Sequence, residues 1–391
     1  MGPSPWFLLG DGGGQAGPVS VTAYREGTHV VELEYKPDFE QALERLEAWW
    51  LCEIVDRPPV TMSVRPDRWP ELPEKTHPTL RDRWFDVQYH LDRFEASLDG
   101  AVFLGEAFPS YRPELGPEVC ATVFGCELEF SEGTSWSIPV AGSCREIPDI
   151  QPNLDNVYWN NLREQTDQSV ERGRGKWITA LPDLHTNGDL PAALRDPQEL
   201  CLDLVDDIDS VRAACDYVNE AAYQLMYDDM WKRIEAAGQP STTWTPYLHA
   251  GRAYVTSCDF ICMISPEMFR ATILPSLVWE MRFLERNVFH LDGPGALRHL
   301  DDLLAQPELN GLQWVYGAGN GPGRNWIEVY QRVQAAGKCI HLACDDVTDA
   351  RAIAEHIRPE GVWLCPGGSY SREEAEAFMR WAAAWAAGKE A

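Results

Sequence analysis

The sequence is short of positive charge and has no long apolar run. Its 33 Lys and Arg residues face 61 Asp and Glu residues, which gives a formal net charge of −28. A chain this acidic repels the phosphates of nucleic acids and anionic lipid surfaces, so neither is an expected partner. No apolar stretch approaches the roughly 20 residues of a membrane span. The apolar run 6–10 is too short for a signal peptide and lacks a basic flank. These absences predict a cytoplasmic protein.

Paired cysteines are also missing. The 11 cysteines are odd in number and scattered, without the two close pairs of a zinc finger. With 391 residues, 45% of them hydrophobic, the chain can bury a large core without disulfides. Most cysteines are therefore expected to be reduced and buried. The length alone leaves open one large α/β domain or two domains.

The C-terminal half alternates strand-like and helix-like segments. Strand-like runs occur at 253–260, 288–291, 311–316, 339–343 and 361–364, each followed by a helix-like segment. Helix-start signals follow several of the strands, as in Ser265-Pro266-Glu267 and the capping-box spacing of Ser371 and Glu374. This order is typical of βαβ units around a parallel sheet. It predicts an α/β fold, a (β/α)8 TIM barrel with an irregular N-terminal extension.

The N-terminal half is less regular. The glycine-rich residues 1–17 predict a flexible tail, 18–170 an extension and cap packed on the barrel, and 171–391 the main part of the barrel. Within these regions the patterns predict short strands at 19–24 and 29–33, a helix at 39–54, an irregular cap at 66–152, a strand at 177–184 and a helix at 208–237.

Polar residues follow the predicted strands. In a closed barrel the chemistry lies at the carboxyl ends of the strands. Those ends carry the following candidates: Asp259, His290, Asp292, Gln313, Tyr316 and Cys365, with His185 and Asp189 after the strand at 177–184 and Arg195 beyond them.

Two motifs resemble the uroporphyrinogen decarboxylase superfamily. They are Ile264-Ser265-Pro266-Glu267-Met268-Phe269, with Leu274-Pro275 after it, and the strand end His290-Leu291-Asp292-Gly293. The resemblance covers roughly residues 175 to 385. It implies a (β/α)8 barrel and either the decarboxylase of the haem pathway or a zinc-dependent methyltransferase that works with a corrinoid protein. The Arg-rich motif of the decarboxylase branch is missing between residues 1 and 57.

The methyltransferase branch implies a metal site. Its His-x-Cys-Gly motif reads His290-Leu291-Asp292-Gly293 here, with Asp in place of Cys, and its later cysteine matches Cys365. His290 and Asp292 are two apart on a strand and share one face. With Cys365 they would form a three-ligand site for zinc that keeps one position open; another divalent metal, or none, stays open. The alternative is a core histidine, a turn-capping aspartate and a small buried thiol.

The other candidates have two interpretations each. Asp259, with Asp292, is a candidate catalytic acid or base, or else a cap. His185, Asp189 and Arg195 could bind a carboxylate or phenol, or Arg195 could fasten a helix start. Gln313 and Tyr316 lie near a glycine-rich loop, which binds an anion or simply turns the chain.

The sequence therefore predicts a barrel enzyme, a metal-dependent methyltransferase with a corrinoid partner protein or a thiol acceptor, acting on a small molecule. The runner-up is a metal-independent decarboxylase or lyase with Asp259 handling the proton and Arg195 holding the acid. A barrel that binds a ligand without chemistry is the third hypothesis. Oligomer formation stays open.

Overall fold

The computed structural model describes residues 31–66 and 68–388. The tail predicted at 1–17 and the strand predicted at 19–24 lie outside these residues, as do the first two residues of the strand at 29–33.

The helices are α1 Phe39–Trp50, α2 Leu80–Phe85, α3 Val87–Ser97, α4 Val157–Arg172, α5 Asp189–Arg195, α6 Pro197–Asp206, α7 Ile208–Val218, α8 Gln224–Glu235, α9 Pro266–Phe283, α10 Leu300–Leu304, α11 Ile327–Ala335, α12 Val347–Ala354 and α13 Arg372–Ala386. The strands are β1 Ser110–Tyr111, β2 Leu128–Phe130, β3 Ser135–Ser137, β4 Ile178–Thr179, β5 Ala253–Ser257, β6 Arg286–Asp292, β7 Gly311–Val315, β8 Cys339–Cys344 and β9 Val362–Pro366.

A five-stranded parallel sheet, in the order β5-β6-β7-β8-β9, organises the C-terminal half. Helices α9 to α13 follow its strands. The mixed α/β class and the five predicted strands are confirmed. The hydrogen-bonded strands of the described residues form three separate sheets, since β1 pairs with β4 and β2 with β3, and no closed ring of strands is present among them.

The two faces of the main sheet pack against different partners. Alternate residues such as Phe289, Trp314 and Leu342 join the large core shared with the outer helices. The opposite face carries Val255 and Val288, which belong to a second core together with residues of α1. Because side chains alternate along a strand, this second face also carries His290, Gln313 and His341.

Helix α1 covers the amino-terminal end of this second face. The indole Nε1 of Trp49 donates to Gly361 O at 2.9 Å, and that of Trp50 donates to Leu248 O at 3.0 Å. Both rings are buried, and the Trp49 ring lies 5.4 Å from that of Trp363. The tryptophan pair therefore packs in the core.

The segment 59–65 extends the sheet beyond β9. Thr61 N donates to Leu364 O and Leu364 N donates to Pro59 O, both at 2.9 Å. Glu106 N in turn donates to Val60 O. The sequence analysis did not predict a strand here, although the alternation Val60-Thr61-Met62-Ser63-Val64 is a strand pattern.

Two predicted elements differ in extent. The strand predicted at 177–184 reduces to β4, which has only two residues. The helix predicted at 208–237 is continuous in direction but contains a π-helical turn, Asn219–Tyr223, between α7 and α8. The side chain of Asn219 in that turn binds the backbone of Asn187 and Ser276. No helix in the described ranges combines the length and apolarity of a membrane span.

Candidate metal centre and adjoining cavity

Asp259, His290 and Asp292 form a cluster at the carboxyl end of the main sheet. A ligand atom from each lies within 4.8 Å of the others. Asp259 begins the 3₁₀ helix that follows β5, and the other two end β6. His290 and Asp292 are two apart on the strand, so their side chains share one face, as predicted. His290 is half-buried and both carboxylates are exposed.

A hydrogen bond orients the imidazole of His290. Its Nδ1 donates to Oε1 of Gln313 at 2.5 Å. With the proton on Nδ1, the neutral ring carries its lone pair on Nε2. The ring also meets the indole of Trp244 edge-on, with centroids 5.0 Å apart. His290 is therefore held in the form that can bind a cation through Nε2.

Gln313 is itself held by His341. Its amide Nε2 donates to Nδ1 of His341 at 2.8 Å. Burial lowers the pKa of His341 to about 3, so the ring is neutral and can accept this bond. The ring stacks on Trp363 with centroids 4.2 Å apart. Two histidines and a glutamine thus form a chain of hydrogen bonds across three neighbouring strands.

Asp189 positions Asp259. The carboxylate of Asp189, at the start of α5, accepts the backbone N–H of Asp259 at 3.1 Å and of Phe260 at 3.0 Å. Although the Asp259 side chain reaches solvent, the surrounding protein and the charge of Asp189 raise the pKa of its carboxyl. Such a carboxyl gains from a nearby cation, because a cation relieves the repulsion between like charges.

His185 lies beside this pair of carboxylates. Its Nε2 is 3.3 Å from Oδ1 of Asp183. Burial lowers the pKa of His185, but Asp183, Asp189 and the neighbouring acids outweigh that effect and raise it above its ordinary value. The ring is thus favoured as an imidazolium among acidic groups.

A buried carboxylate holds the turn after His185. Glu280 of α9 accepts hydrogen bonds from the Thr186 hydroxyl and from Nδ2 of Asn187, the latter at 3.1 and 3.2 Å. Asn187 has a φ of 45° and also donates to Ser257 O. Burial raises the pKa of Glu280 to about 7, although these hydrogen bonds lower it. The turn is therefore fixed to both α9 and the end of β5.

A cavity of about 230 Å³ opens next to Asp259. Its polar lining consists of Glu118, His185, Asp189 and Asp259, and the rest is apolar or a thiol: Pro117, Cys120, Ala121, Leu190, Ala192, Ala193, Pro197, Phe260 and Met263. No Lys or Arg lines this cavity. The cluster and the cavity share Asp259, so a bound molecule would lie beside the cluster.

The cluster differs from the predicted metal ligands in one member. Asp259 completes it and Cys365 is not part of it. Cys365 faces the same side of the sheet at the level of Asp292, but on β9, three strands from β6. That separation is roughly 14 Å along the sheet, too far for a shared ion. The Cys365 thiol is partly buried against the second core, and the surrounding protein raises its pKa.

The structure also places the predicted substrate-binding residues. His185 and Asp189 line the cavity. Gln313 lies behind His290 instead. Arg195 binds Asp203 and Glu199 on α6, so it fastens a helix start, and the Tyr316 hydroxyl donates to Asp345. The last two lie outside the cavity lining.

The donor atoms of the cluster fit a divalent cation. Two carboxylates and an imidazole with a free Nε2 suit zinc and similar ions. Neither the Asp259 nor the Asp292 carboxylate has a hydrogen-bond donor within the described ranges, which leaves both sets of oxygens free for an ion. These three residues could hold a metal and keep positions open for a substrate.

Sequence reasoning missed Asp183, Glu280 and Trp244. Glu280 had a detectable signal, because it falls on the buried stripe of α9 with Ile273 and Leu277, where an acid is unusual. Asp183 and Trp244 come from irregular segments, and no spacing rule connects them to His185 or His290.

No protein family and no curated protein matches this sequence. Among solved structures, the chain is similar to a methyltransferase from Methanosarcina mazei, with a TM-score of 0.56 and 15% identity over 88% of this chain and 98% of that one. A B12-independent methionine synthase from Shewanella sp. W3-18-1, solved with selenomethionine, gives a TM-score of 0.42 and 10% identity over 85% and 97%. The first similarity shows a shared fold.

Proposed function

We propose that the chain is a metal-dependent methyltransferase on a (β/α)8 barrel similar to uroporphyrinogen decarboxylase, acting with a corrinoid partner protein or a thiol acceptor. The observation that carries the proposal is the Asp259, His290 and Asp292 cluster beside a cavity at the carboxyl end of a parallel sheet. The fold shared with a methanogen methyltransferase agrees with it.

Asp259, His290 and Asp292 would hold the metal, with zinc as the first choice. When bound, the metal would favour the ionised, nucleophilic form of a thiol acceptor or polarise a small substrate. Gln313 orients the ring of His290 through Nδ1, and Asp189 fixes the backbone that carries Asp259. Partners of this kind commonly change metal affinity by about 10- to 100-fold.

The remaining residues act on the substrate. The apolar wall of the cavity excludes water from the reacting group. His185 also lines the cavity, where its imidazole would contact the bound molecule. Glu280 and Asn187 keep the turn between His185 and Asp189 in place.

The lyase hypothesis has less support. It needs a cationic group to hold the organic acid, and Arg195, the residue predicted for that role, is bound to Asp203 and Glu199. No Lys or Arg lines the cavity in its place.

Metal analysis tests the ligand set. We expect one zinc per chain in protein purified without chelator, and we expect His290→Ala, Asp259→Asn and Asp292→Asn each to weaken zinc binding in a competition titration with a chromophoric chelator. Cys365→Ala is the matched control and should bind zinc as the parent does. Parent-like zinc affinity in His290→Ala would refute the proposed site.

Methyl transfer is measured separately. Zinc-loaded protein should demethylate free methylcobalamin in the presence of 2-mercaptoethanol, as followed by the cobalamin absorbance spectrum. We expect His290→Ala to abolish this reaction and Glu373→Gln, at an exposed position of α13, to leave it unchanged. A rate equal to that of buffer, with zinc bound, would reject methyl transfer from this donor and favour the lyase hypothesis.

A further inference from the structure

We propose that the cavity beside Asp259 selects a small organic cation, an alkylated ammonium with a compact apolar body, as the substrate of the proposed reaction. The inference rests on the proposed function, because it takes the molecule bound beside the metal cluster to be the substrate. It adds the chemical class of that substrate, which the fold does not specify.

The size and walls of the cavity indicate the body of the molecule. About 230 Å³ accommodates a compound of a few carbon atoms with a head group. One wall is formed by small and apolar side chains, among them Ala121, Ala192, Ala193 and Leu190. Methyl or methylene groups would be favourable there, at about 25 cal/mol per Å² of buried apolar surface.

The charges around the cavity indicate the head group. Glu118 and Asp189 contribute two carboxylates to the lining besides Asp259, which would hold the metal, against the single imidazole of His185. That imidazole already lies 3.3 Å from Asp183. An anionic ligand would meet several like charges and no guanidinium or ammonium partner.

An aromatic ring adds to the preference for a cation. Phe260 lies on the lining next to Asp259, and Met263 lies at the exposed edge with half of its surface accessible. Alkylammonium groups bind against aromatic faces through the ring quadrupole and do not require a hydrogen-bond acceptor. An alkylated head group therefore matches both the carboxylates and the ring.

The backbone fixes two of these carboxylates in place. Asp189 accepts two backbone N–H groups, and Glu118 accepts the N–H of Ser137 at 2.5 Å. Both acids are thus anchored at the cavity by the protein itself and not by the metal.

Three probes of equal shape and different charge test the proposal: choline, its neutral carbon analogue 3,3-dimethylbutan-1-ol, and the anion 3,3-dimethylbutanoate. Binding is measured by calorimetry on metal-free and on zinc-saturated protein. We expect the dissociation constant of choline to be at least about tenfold lower than that of the alcohol. The anion should not bind. The preference should persist with zinc bound.

Two variants locate the binding. Met263→Lys adds a positive charge at an exposed position and should abolish choline binding while leaving zinc affinity unchanged. Glu118→Gln, whose amide oxygen can still accept from Ser137, should weaken choline several-fold and leave the alcohol unaffected. Parent-like choline affinity in Met263→Lys would place the binding elsewhere and overturn the proposal.

Four further outcomes would count against the proposal. Equal affinity for choline and the alcohol, tighter binding of the anion, a choline preference confined to metal-free protein, or no binding of any probe in the millimolar range would each refute the cation-selective cavity. Failure of the proposed function appears differently, as absence of zinc binding at His290 in the same samples.

Discussion

His290 donates from Nδ1 to Oε1 of Gln313, on the neighbouring strand of the parallel sheet. This bond decides which imidazole nitrogen faces the carboxylates of the cluster. In the proposed metal site, Gln313 would therefore influence the affinity for the ion without contacting it.

Replacing Gln313 with Leu tests that relationship. The variant removes the acceptor for His290 Nδ1 and leaves the ring free to adopt the other tautomer. We expect zinc affinity to fall by about 10- to 100-fold, the usual effect of losing an outer partner of a histidine ligand. Chelator competition measures it, with the exposed Gln331→Leu as control. Unchanged affinity would show that Gln313 has no part in metal binding.

The raised pKa of Glu280 predicts that the stability of the protein depends on pH. Its carboxyl has an ordinary pKa of 4.5 when unfolded and a pKa raised to about 7 by burial. Between these values the folded state keeps a proton that the unfolded state releases, so stability falls as pH rises through this window and is fullest below pH 4.5. The total loss is roughly 3 kcal/mol.

Urea denaturation of Glu280→Gln measures this effect. The amide is neutral at every pH, so the free energy of unfolding of the parent should decline relative to the variant from about pH 4.5 to 7. The exposed Glu373→Gln should show no such relative decline. A parent-to-variant difference that is constant with pH would contradict a buried carboxyl that keeps its proton.

The buried Glu106 predicts a large loss of stability. Its carboxylate is fully buried and accepts from Arg57 at 2.7 and 2.9 Å, from Arg45 at 3.1 Å and from Val60 N. Glu106→Ala would leave two guanidinium groups without their shared partner, which typically costs about 3 to 5 kcal/mol.

The matched change is Glu132→Ala, which removes the exposed partner of Arg83 and should cost at most about 1 kcal/mol. Both are measured by urea denaturation. Similar losses in the two variants would mean that the buried network contributes no more than a surface ion pair.

The lowered pKa of the Cys52 thiol predicts that Cys52 reacts faster than the more exposed Cys262. Its Sγ lies 3.3 Å from that of Cys339, whose hydrogen bond lowers the pKa of Cys52 to about 7. The exposed Cys262 has a pKa raised by the surrounding protein. Because the thiolate is the nucleophile, brief iodoacetamide treatment at neutral pH should label Cys52 several-fold faster than Cys262.

Peptide mass spectrometry measures the labelling. Cys339→Ala removes the neighbouring thiol that lowers the pKa of Cys52 and should slow the reaction of Cys52. If Cys262 is labelled first, access and not acidity controls these thiols.

The strands of the main sheet could be predicted from the sequence because each is a short apolar run that a helix-like segment follows. The shared face of His290 and Asp292 follows directly from strand geometry. The third member of the cluster could not be predicted, because it depends on how far apart the strands lie and on the 3₁₀ helix that turns Asp259 towards β6. Resemblance to a motif favoured Cys365, whereas the strand order places it three strands away.

The segment 59–65 and the short β4 could not be predicted from the sequence either, because their pairing also depends on distant residues. Their pairing partners are about 300 and 70 residues away in the chain, and few local residues mark them as strands. Glu280 and Asp183 take on their roles only through burial beside His185, which no local pattern encodes.

Helix α1, with Trp49 and Trp50, closes the amino end of the sheet's second face. With that end covered, the described residues leave the cluster open at the carboxyl ends of β5 and β6, where its two carboxylates are exposed. In the proposed reaction, a donor and an acceptor would therefore share one approach and would bind in turn, or together with the larger one remaining outside the cavity.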